Sequence, residues 1–509
     1  MHNNKKIVSF EDLTAICDKL KADGKKKVVL CHGCFDLLHI GHIRYFKQAK
    51  QMGDILVVTL SPDCFVDKGP GRPKFTDNLR AEAISSLDSV DFVAINQWET
   101  AEETLRILQP HVYVKGSDFK NVEADSTGKL ALEEKVCKEI GAELAFTRDI
   151  VFSSTNLINR FFSSFPEEVQ SYLNVFRKRY SIDDVLNFIH RMSELKVFVI
   201  GDSILDEYRY CHSLGASSKD PLLAVQYDSH DMFAGGVLAV ANHAGNFAKS
   251  VRLATVIGEK DSHESFIRDH LSSGVKPHFF IQENAPTLIK RRYVDGYSMT
   301  KLLEIYVMDD SGLSREKDLE LCEFLKETIP DYDIVISADF GHGAISENVR
   351  ETLIEHAPFL AVNTQANAGN KRMHTISSYK RADYASIAEP ELRLDARNLK
   401  TDIRPLTIDA CRRLGCKQFV VTCGKRGSCV ATLDGSFVLI PAFASKVVDR
   451  VGSGDAFFAI SALAAYLNAS PEMTGFIGNL VGSLAVEIIG NQKSVQKDSL
   501  EKYITSILK

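Results

Sequence analysis

Two short segments of this 509-residue chain combine residue types and spacings that suit chemistry at phosphorus. The first runs from Val28 to His42 and reads VVLCHGCFDLLHIGH. An apolar strand ends, a glycine-containing loop turns, and a helix begins near Gly41. The first N–H groups of a helix lack intrahelical partners and carry the positive end of its dipole, so they form a natural anion site. His39 and His42 are three residues apart, and on a helical turn both imidazoles face one point. Such a pair binds nucleotide phosphates and stabilises charge passing to a leaving pyrophosphate. Gly41 leaves room for a nucleotide to approach the backbone. No third ligand stands near the two histidines, so no metal site is expected. The second segment is Gly452-Ser453-Gly454-Asp455, just before the apolar helix Ala456 to Leu467. Glycines there expose N–H groups to the charge that develops on a transferred phosphoryl group. An aspartate in the first turn is placed to take the proton of an attacking hydroxyl.

The elements that must position these segments follow one pattern: apolar strand, turn, amphipathic helix, repeated, which predicts parallel α/β architecture. Strands are predicted at Lys27–Cys31, Asp54–Leu60, Val90–Ile95 and His111–Lys115, with helices at Ile43–Met52, Asn78–Leu87 and Ala101–Leu108. A break falls near Ser163-Ser164-Phe165-Pro166. Glu167 to Met192 then reads as charged and helical, and Lys196–Ile200 opens a second run of strands and helices. The expected organisation is a first domain over 1–165, a helical linker over 166–180 and a larger domain over 181–509. Both domains are of the Rossmann-like α/β/α class.

Bulk properties agree with two globular domains. A single core rarely grows past ~250–300 residues, and the chain has 45% hydrophobic and 25% charged residues. A formal net charge of −6 argues against a sequence-blind nucleic-acid binder, so phosphate handling must come from local clusters. The polar start, Met1 to Lys6, does not read as a signal peptide, and no apolar run reaches the ~18 residues that span a bilayer. No membrane partner is expected. The eleven cysteines are odd in number and scattered, which suits reduced thiols and a cytoplasmic location. The Cys31/Cys34 pair alone cannot close a four-ligand zinc site.

The segment GCFDLLHIGH resembles the signature of the cytidylyltransferase-like nucleotidyltransferases. The resemblance covers about Lys6 to Phe162. It includes Asp67-Lys68-Gly69, Arg80, Lys115-Gly116-Ser117-Asp118 and Phe152 to Ile158, in that order. Among such proteins it is similar to the adenylyltransferase half of the bifunctional heptose kinase/adenylyltransferases. The resemblance implies that His39 and His42 contact the triphosphate and that Lys68 neutralises the reacting phosphates. It implies further that Gly33, Phe35, Asp36, Gly41, Arg80, Lys115, Ser154 and Thr155 line the nucleotide. A sugar 1-phosphate oxygen would attack the α-phosphorus; it is already ionised at pH 7, so positioning and charge neutralisation suffice. The histidine motif touches phosphates and not the base, which leaves ATP and CTP both open.

The region from about Ser181 to Lys509 resembles the ribokinase-like (PfkB) sugar kinases, through Gly201 to Asp206, Gly235-Gly236, Asn242, Thr422-Cys423-Gly424, Gly427 and the motif ending in Asp455. By that resemblance Asp455 is the base and Gly452 to Gly454 the anion hole. Thr422, Gly424 and Gly427 bind nucleotide, Asp202, Asp206, Gly235, Gly236 and Asn242 bind the sugar, and Lys290 reaches a sugar phosphate. Two departures stand out: Asn363-Thr364-Gln365 where heptose kinases show Asp-Pro-Lys, and Ala388 with Glu391 where the family has Asn followed by Glu. The domain order is inverted relative to the heptose enzyme. Together the resemblances imply a bifunctional enzyme that uses Mg²⁺ with ATP (or CTP) and makes a nucleotide-activated sugar, in its most specific form ADP-heptose from heptose 7-phosphate through the 1-phosphate. They imply pairing through a small β-lid built from Leu222–Tyr227 and Ile289–Val294. The alternative is an active nucleotidyltransferase, acting with CTP on a polyol phosphate, whose kinase-like domain serves sugar binding or dimerisation.

Overall fold

Val28–Gly33 (β1) is apolar until His32, the composition of a strand covered on both faces. In the computed structural model, which describes residues 5–66, 72–116, 129–147, 165–309 and 311–509, β1 lies at the centre of a parallel sheet. Its neighbours are Ile55–Leu60 (β2) and Val112–Lys115 (β4), and the outer strands are Phe92–Ile95 (β3) and Glu143–Phe146 (β5), in the order β3-β2-β1-β4-β5. The strand order reverses between β1 and β4, which makes their carboxyl ends a topological switch point, where parallel sheets bind ligands. Helices Phe10–Asp23 (α1), Ile40–Lys50 (α2), Asp77–Ser85 (α3), Glu102–Leu108 (α4) and Lys129–Ile140 (α5) accompany the sheet. Two apolar clusters form the core, one around Leu13, Leu30 and Leu105, the other around Val29, Phe46 and Ile84.

The second compact unit begins at Phe165. The charged helical stretch is two helices, Glu167–Arg179 and Ile182–Met192, divided at Ser181. Ser181 accepts the Asp184 N–H at 3.1 Å, and the Asp184 carboxylate takes the Ser181 N–H at 2.8 Å, a reciprocal cap that starts the second helix. The first of these helices is expected as a linker but packs within the second unit. Its Phe176 ring stacks on Phe476 at 4.0 Å, and the Tyr180 hydroxyl meets that of Ser470 at 2.9 Å.

One long strand organises this unit. Lys196–Ala216 (β6) is buried over its first half and exposed at its end. Its first half pairs in parallel with Ser250–Lys260 (β8) and Ile334–Asp339 (β12) in the main sheet. That sheet continues through Leu360–Thr364 (β13), Tyr384–Ala388 (β14) and Gln418–Thr422 (β15) to two antiparallel strands, Ser428–Thr432 (β16) and Phe437–Ile440 (β17); Val275–Pro286 (β9) flanks β8. The second half of β6 leaves the main sheet and pairs with Leu223–Gly236 (β7) and Ile289–Asp295 (β10), with Lys301–Val307 (β11) at the edge. These four strands are the lid. The changeover lies between Asp202 and Ser203, so residues on either side of the bend face the seam between core and lid. No described helix is long and apolar enough to cross a membrane.

Candidate active sites

The first site grows out of the carboxyl end of β1. Gly33 has no side chain, and the Phe35 ring folds back to within 3.0 Å of where a Cβ would stand. Phe35 itself takes φ 49°, an uncommon value for a non-glycine residue, and its ring meets the His42 edge at 5.3 Å. His39 caps α2: its Nδ1 accepts the Gly41 N–H at 3.0 Å. Burial lowers the His39 pKa, so the ring is neutral near pH 7, and the accepting Nδ1 places its proton on Nε2. The rings of His39 and His42 stack with centroids 4.0 Å apart. The three-residue spacing therefore brings the two imidazoles together at a helix start.

Other residues expected along the nucleotide do different work. Arg80 is 1% exposed. Its guanidinium donates to the carbonyls of Cys34, Ser61 (2.9 Å) and Phe75 (3.0 Å) and to the Asp63 carboxylate (2.6 Å). It is not a solvated charge, because its arms tie the loops after β1 and β2 to α3. Asp36 is likewise buried and receives the N–H groups of Lys74 (2.6 Å) and Phe75 (3.1 Å), with Arg72 at 3.4 Å. The Lys115 ammonium sits 2.7 Å from the Glu133 carboxylate, both largely buried, so its charge is balanced inside the fold. His32 escaped the sequence-based expectations. It lies at the end of β1 with Nδ1 3.0 Å from the Thr59 hydroxyl, and burial, aided by the Lys115 charge, takes its pKa down to about 3. The signal was a lone polar residue at the carboxyl end of a buried parallel strand. Lys68, Ser154 and Thr155 lie outside the described residues.

The second site lies at the seam between core and lid. Gly452 caps the helix Ser453–Tyr466 with φ 79°, which glycine tolerates, and Gly454 has open space before it. Asp455 is half-buried in the first turn. Burial foremost, with the charges of Asp206 and Glu391, raises its pKa to about 7 against the pull of Lys290. Three of the expected residues thus converge: Asp206 from β6, Lys290 from β10 and Asp455. Asp206 and Lys290 are register partners on neighbouring strands. Gly235 is required here, since a Cβ would stand 2.1 Å from the Asp206 carboxylate. Arg292 pairs with Asp206 and, at 2.6 Å, with Glu304. Lys290 is 5% exposed, with its ammonium 5.4 Å from the Tyr306 ring centroid, and burial lowers its pKa. It is a buried cation facing the seam, not an exposed strand lysine.

Asp202 and Asn242, both expected to touch sugar, are each hydrogen-bonded within the fold. Asp202 accepts the N–H groups of Phe340 (2.9 Å), His342 (3.3 Å) and Ala344 (2.9 Å), and so shapes the loop after β12. It is 3% exposed, and burial with the nearby Asp339 lifts its pKa to about 6. That loop and Asp202 border a small pocket that is also lined by Ser203, Gln282, Thr287 and His342. Asn242 is spent on the turn at 270–272, donating to the His270 carbonyl and accepting from Ser272 N–H, each at 2.8 Å. Gly236, at φ 57°, starts the helix Val237–Gly245. Thr422 ends β15. Gly424 (φ 58°) has open space, while Gly427 (φ 87°) passes 2.0 Å, at its Cβ position, from the Ile440 carbonyl.

The two departures flank this site. Asn363 donates to the Ser386 carbonyl at 2.6 Å and ties β13 to β14. Ala388 offers no side-chain acceptor, but its N–H goes to Glu391 at 2.7 Å, and Glu391 also receives the Ala366 N–H at 3.3 Å. Burial raises the Glu391 pKa to about 7.

Comparison with known proteins agrees with this two-part arrangement. Residues 194–498 match the pfkB family of carbohydrate kinases, and residues 30–160 match the cytidylyltransferase-like family, so the nucleotidyltransferase-like part comes first. A protein named bifunctional protein HldE from Aliarcobacter butzleri is 37% identical over 162 residues, 31% of this chain and 32% of its own length. Its namesake from Geobacter metallireducens is 34% identical over 166 residues, 32% of each. The chain thus spans about a third of the length of these relatives. Phosphofructokinase-2 from Escherichia coli, crystallised with substrates and products, has the same fold with a TM-score of 0.51 and 15% identity, over 61% of this chain and 99% of that one.

Proposed function

We propose that this chain, which belongs to the pfkB family of carbohydrate kinases, is a bifunctional transferase with a nucleotidyltransferase over about 1–165 and a sugar-phosphate kinase over about 181–509. The observation that carries the kinase reading is Asp455: a carboxyl group in the first turn of a helix, behind two glycines, with a pKa near 7 beside Asp206 and Lys290. A base that titrates near the working pH is suited to accept a hydroxyl proton. The backbone N–H groups of the Gly452–Gly454 turn then face the charge that grows on the transferred phosphoryl group. Lys290, a cation held in the seam, is suited to an anionic part of the substrate, which favours a sugar phosphate over a free sugar.

Mg²⁺ accompanies ATP as part of the substrate. Glu391 accepts only backbone N–H groups among the described bonds and lies in the charge field of Asp455, so it is the carboxylate that fits such an ion. Magnesium is commonly held by one or two carboxylates together with substrate phosphates. Its chemistry there would be neutralisation of phosphate charge.

In the first unit, the stacked His39 and His42 at the start of α2 support nucleotidyl transfer to a sugar 1-phosphate. The neutral His39 donates from Nε2, and the α2 N–H groups add positive potential as charge moves to pyrophosphate. The resemblance to the heptose kinase/adenylyltransferases favours ADP-heptose as the product and heptose 7-phosphate as the starting sugar. Lys68, Ser154 and Thr155 complete this proposed site. The lid exposes Leu214, Leu222, Leu223 and Tyr227, an apolar face suited to pairing with a second copy. A cytoplasmic location accords with the eleven free thiols.

Mass spectrometry of the products formed from ATP or CTP with six- and seven-carbon sugar phosphates tests these assignments. A sugar bisphosphate and a nucleotide-sugar are expected. One observation, the lack of a polar side chain at Ala388, favours a second reading in which only nucleotidyl transfer survives. Tight sugar binding with no bisphosphate from any sugar would select it. Solution size tests pairing; a strict monomer would refute it.

A further inference from the structure

The turn that carries Gly452 and Gly454 hangs on one buried carboxylate outside the residues already discussed. Asp449 is 7% exposed and takes five donors. Two come from its own turn, Arg450 N–H at 2.7 Å and Val451 N–H at 3.2 Å. The others come from three separate places: the Tyr208 hydroxyl of β6 at 2.6 Å, the Gly490 N–H at 3.0 Å and the Lys301 ammonium at 2.7 Å. Lys301 is the first residue of β11, the edge strand of the lid, which pairs only with β10 in the sheet order. Its ammonium also lies 5.3 Å from the Tyr208 ring centroid. Burial alone would raise the Asp449 pKa, but Lys301, Tyr208 and the backbone donors outweigh it and hold the group ionised. The four other donors are neutral. A buried carboxylate without a countercharge is costly, so the lysine balances the charge that anchors the turn. The neighbouring Asn491 clasps the same turn from another side. Its Oδ1 stands 2.0 Å from the place a Gly452 Cβ would occupy, and its Nδ2 lies 3.4 Å from Asp206.

We propose that Lys301 is a positioning residue for phosphoryl transfer, an ammonium supplied by the lid's edge strand that fixes the Asp449–Asp455 turn, so that the anion hole is complete only while β11 is docked. This rests on the kinase reading above. It gives the lid a second task besides covering the sugar: the strand that closes over substrate also sets the geometry of the helix start that receives the phosphoryl group.

The test uses the full chain with Lys301→Ala, the neutral near-isostere Lys301→Met and Lys301→Arg. Phosphorylation of the best sugar phosphate should fall about 100-fold in kcat for Ala and Met, the scale of losing a positioned catalytic donor, with a smaller change in KM for the sugar. Arg should retain most of the rate, and added methylammonium should recover roughly tenfold in the Ala variant by filling the vacated site. Hydrogen exchange at Val451 to Gly454 should quicken in Ala and Met but not in Arg. A kcat within about twofold of the parent in both neutral variants would overturn the proposal, as would a loss that neither Arg nor methylammonium repairs. If the parent phosphorylates no sugar at all, the kinase reading falls, and the exchange measurement still decides whether Lys301 holds the turn; unchanged exchange in both neutral variants rejects it.

Discussion

The two helix starts solve one electrostatic problem with opposite chemistry. At α2 the cap is a side chain, the neutral His39 ring that accepts Gly41 N–H, and a second imidazole stacks upon it. At Ser453–Tyr466 the cap is a left-handed glycine with no side chain, and the first turn carries an acid. The first arrangement leaves donors for a group that is already an anion when it arrives. On the proposed kinase reading the second must also remove a proton from a neutral hydroxyl; it has a carboxyl group near the positive helix end, its pKa raised by burial and like charge. The supports differ in kind too. The α2 start is fixed by the sheet itself, through a strand end and the buried Arg80. The Gly452 turn is held from outside by Lys301, acting through Asp449, and by Asn491, both distant in sequence.

The largest effect expected from breaking one side of this comparison is in Asp455→Asn. It should cut sugar phosphorylation by about 10³-fold or more and leave nucleotidyl transfer unchanged, measured as ADP and pyrophosphate release in the same preparation. His42→Ala should do the reverse, with pyrophosphate release down about 10²-fold and phosphorylation intact. If either substitution lowers both activities equally, the two helix starts are not separate sites. Arg80→Ala sharpens the contrast in supports. It leaves several carbonyls and Asp63 without their buried partner and should cost the first unit about 3 kcal/mol in denaturant unfolding. A raised nucleotide KM with unchanged stability would instead restore it as a ligand.

The smallest effect is on pH dependence. The Asp455 carboxyl has a pKa of about 7 in the fold against 3.8 as its ordinary value. Between these values the folded unit keeps a proton that the unfolded chain has lost, so stability of the second unit declines as pH rises through that window. Asp455→Asn should flatten the decline in thermal melts taken between pH 4 and 7. In the parent, the phosphorylation rate should rise with an apparent pKa near 7 as the base deprotonates. A rate independent of pH from 5 to 8 would show that Asp455 is not the base.

The fold was largely legible. The four strands expected in the first unit agree with the apolar runs to within two residues at each end, while the edge strand β5 was not expected. Local signals sufficed there because buried parallel strands need uninterrupted apolar runs and helix starts need caps. The long β6 was not legible, because its exposed second half has no apolar run and owes its form to β7 and β10. The site divides in the same way. The spacing of His39 and His42, and the glycines before Asp455, announced themselves in the chain. The fates of Arg80, Asp202 and Asn242 did not, since a charged or amide side chain bears the same letter whether it faces a ligand or the protein's own backbone.

By itself the sequence determined which groups are able to handle phosphate, because helix starts, glycines and residue spacing act within a few positions along the chain. Only the tertiary structure decided which of those groups are available and in what charge state. It buried Lys290 beside Asp206, raised the Asp455 pKa and set Lys301 against Asp449. Burial and ion pairing depend on what the rest of the fold brings close, and that is written in no single segment.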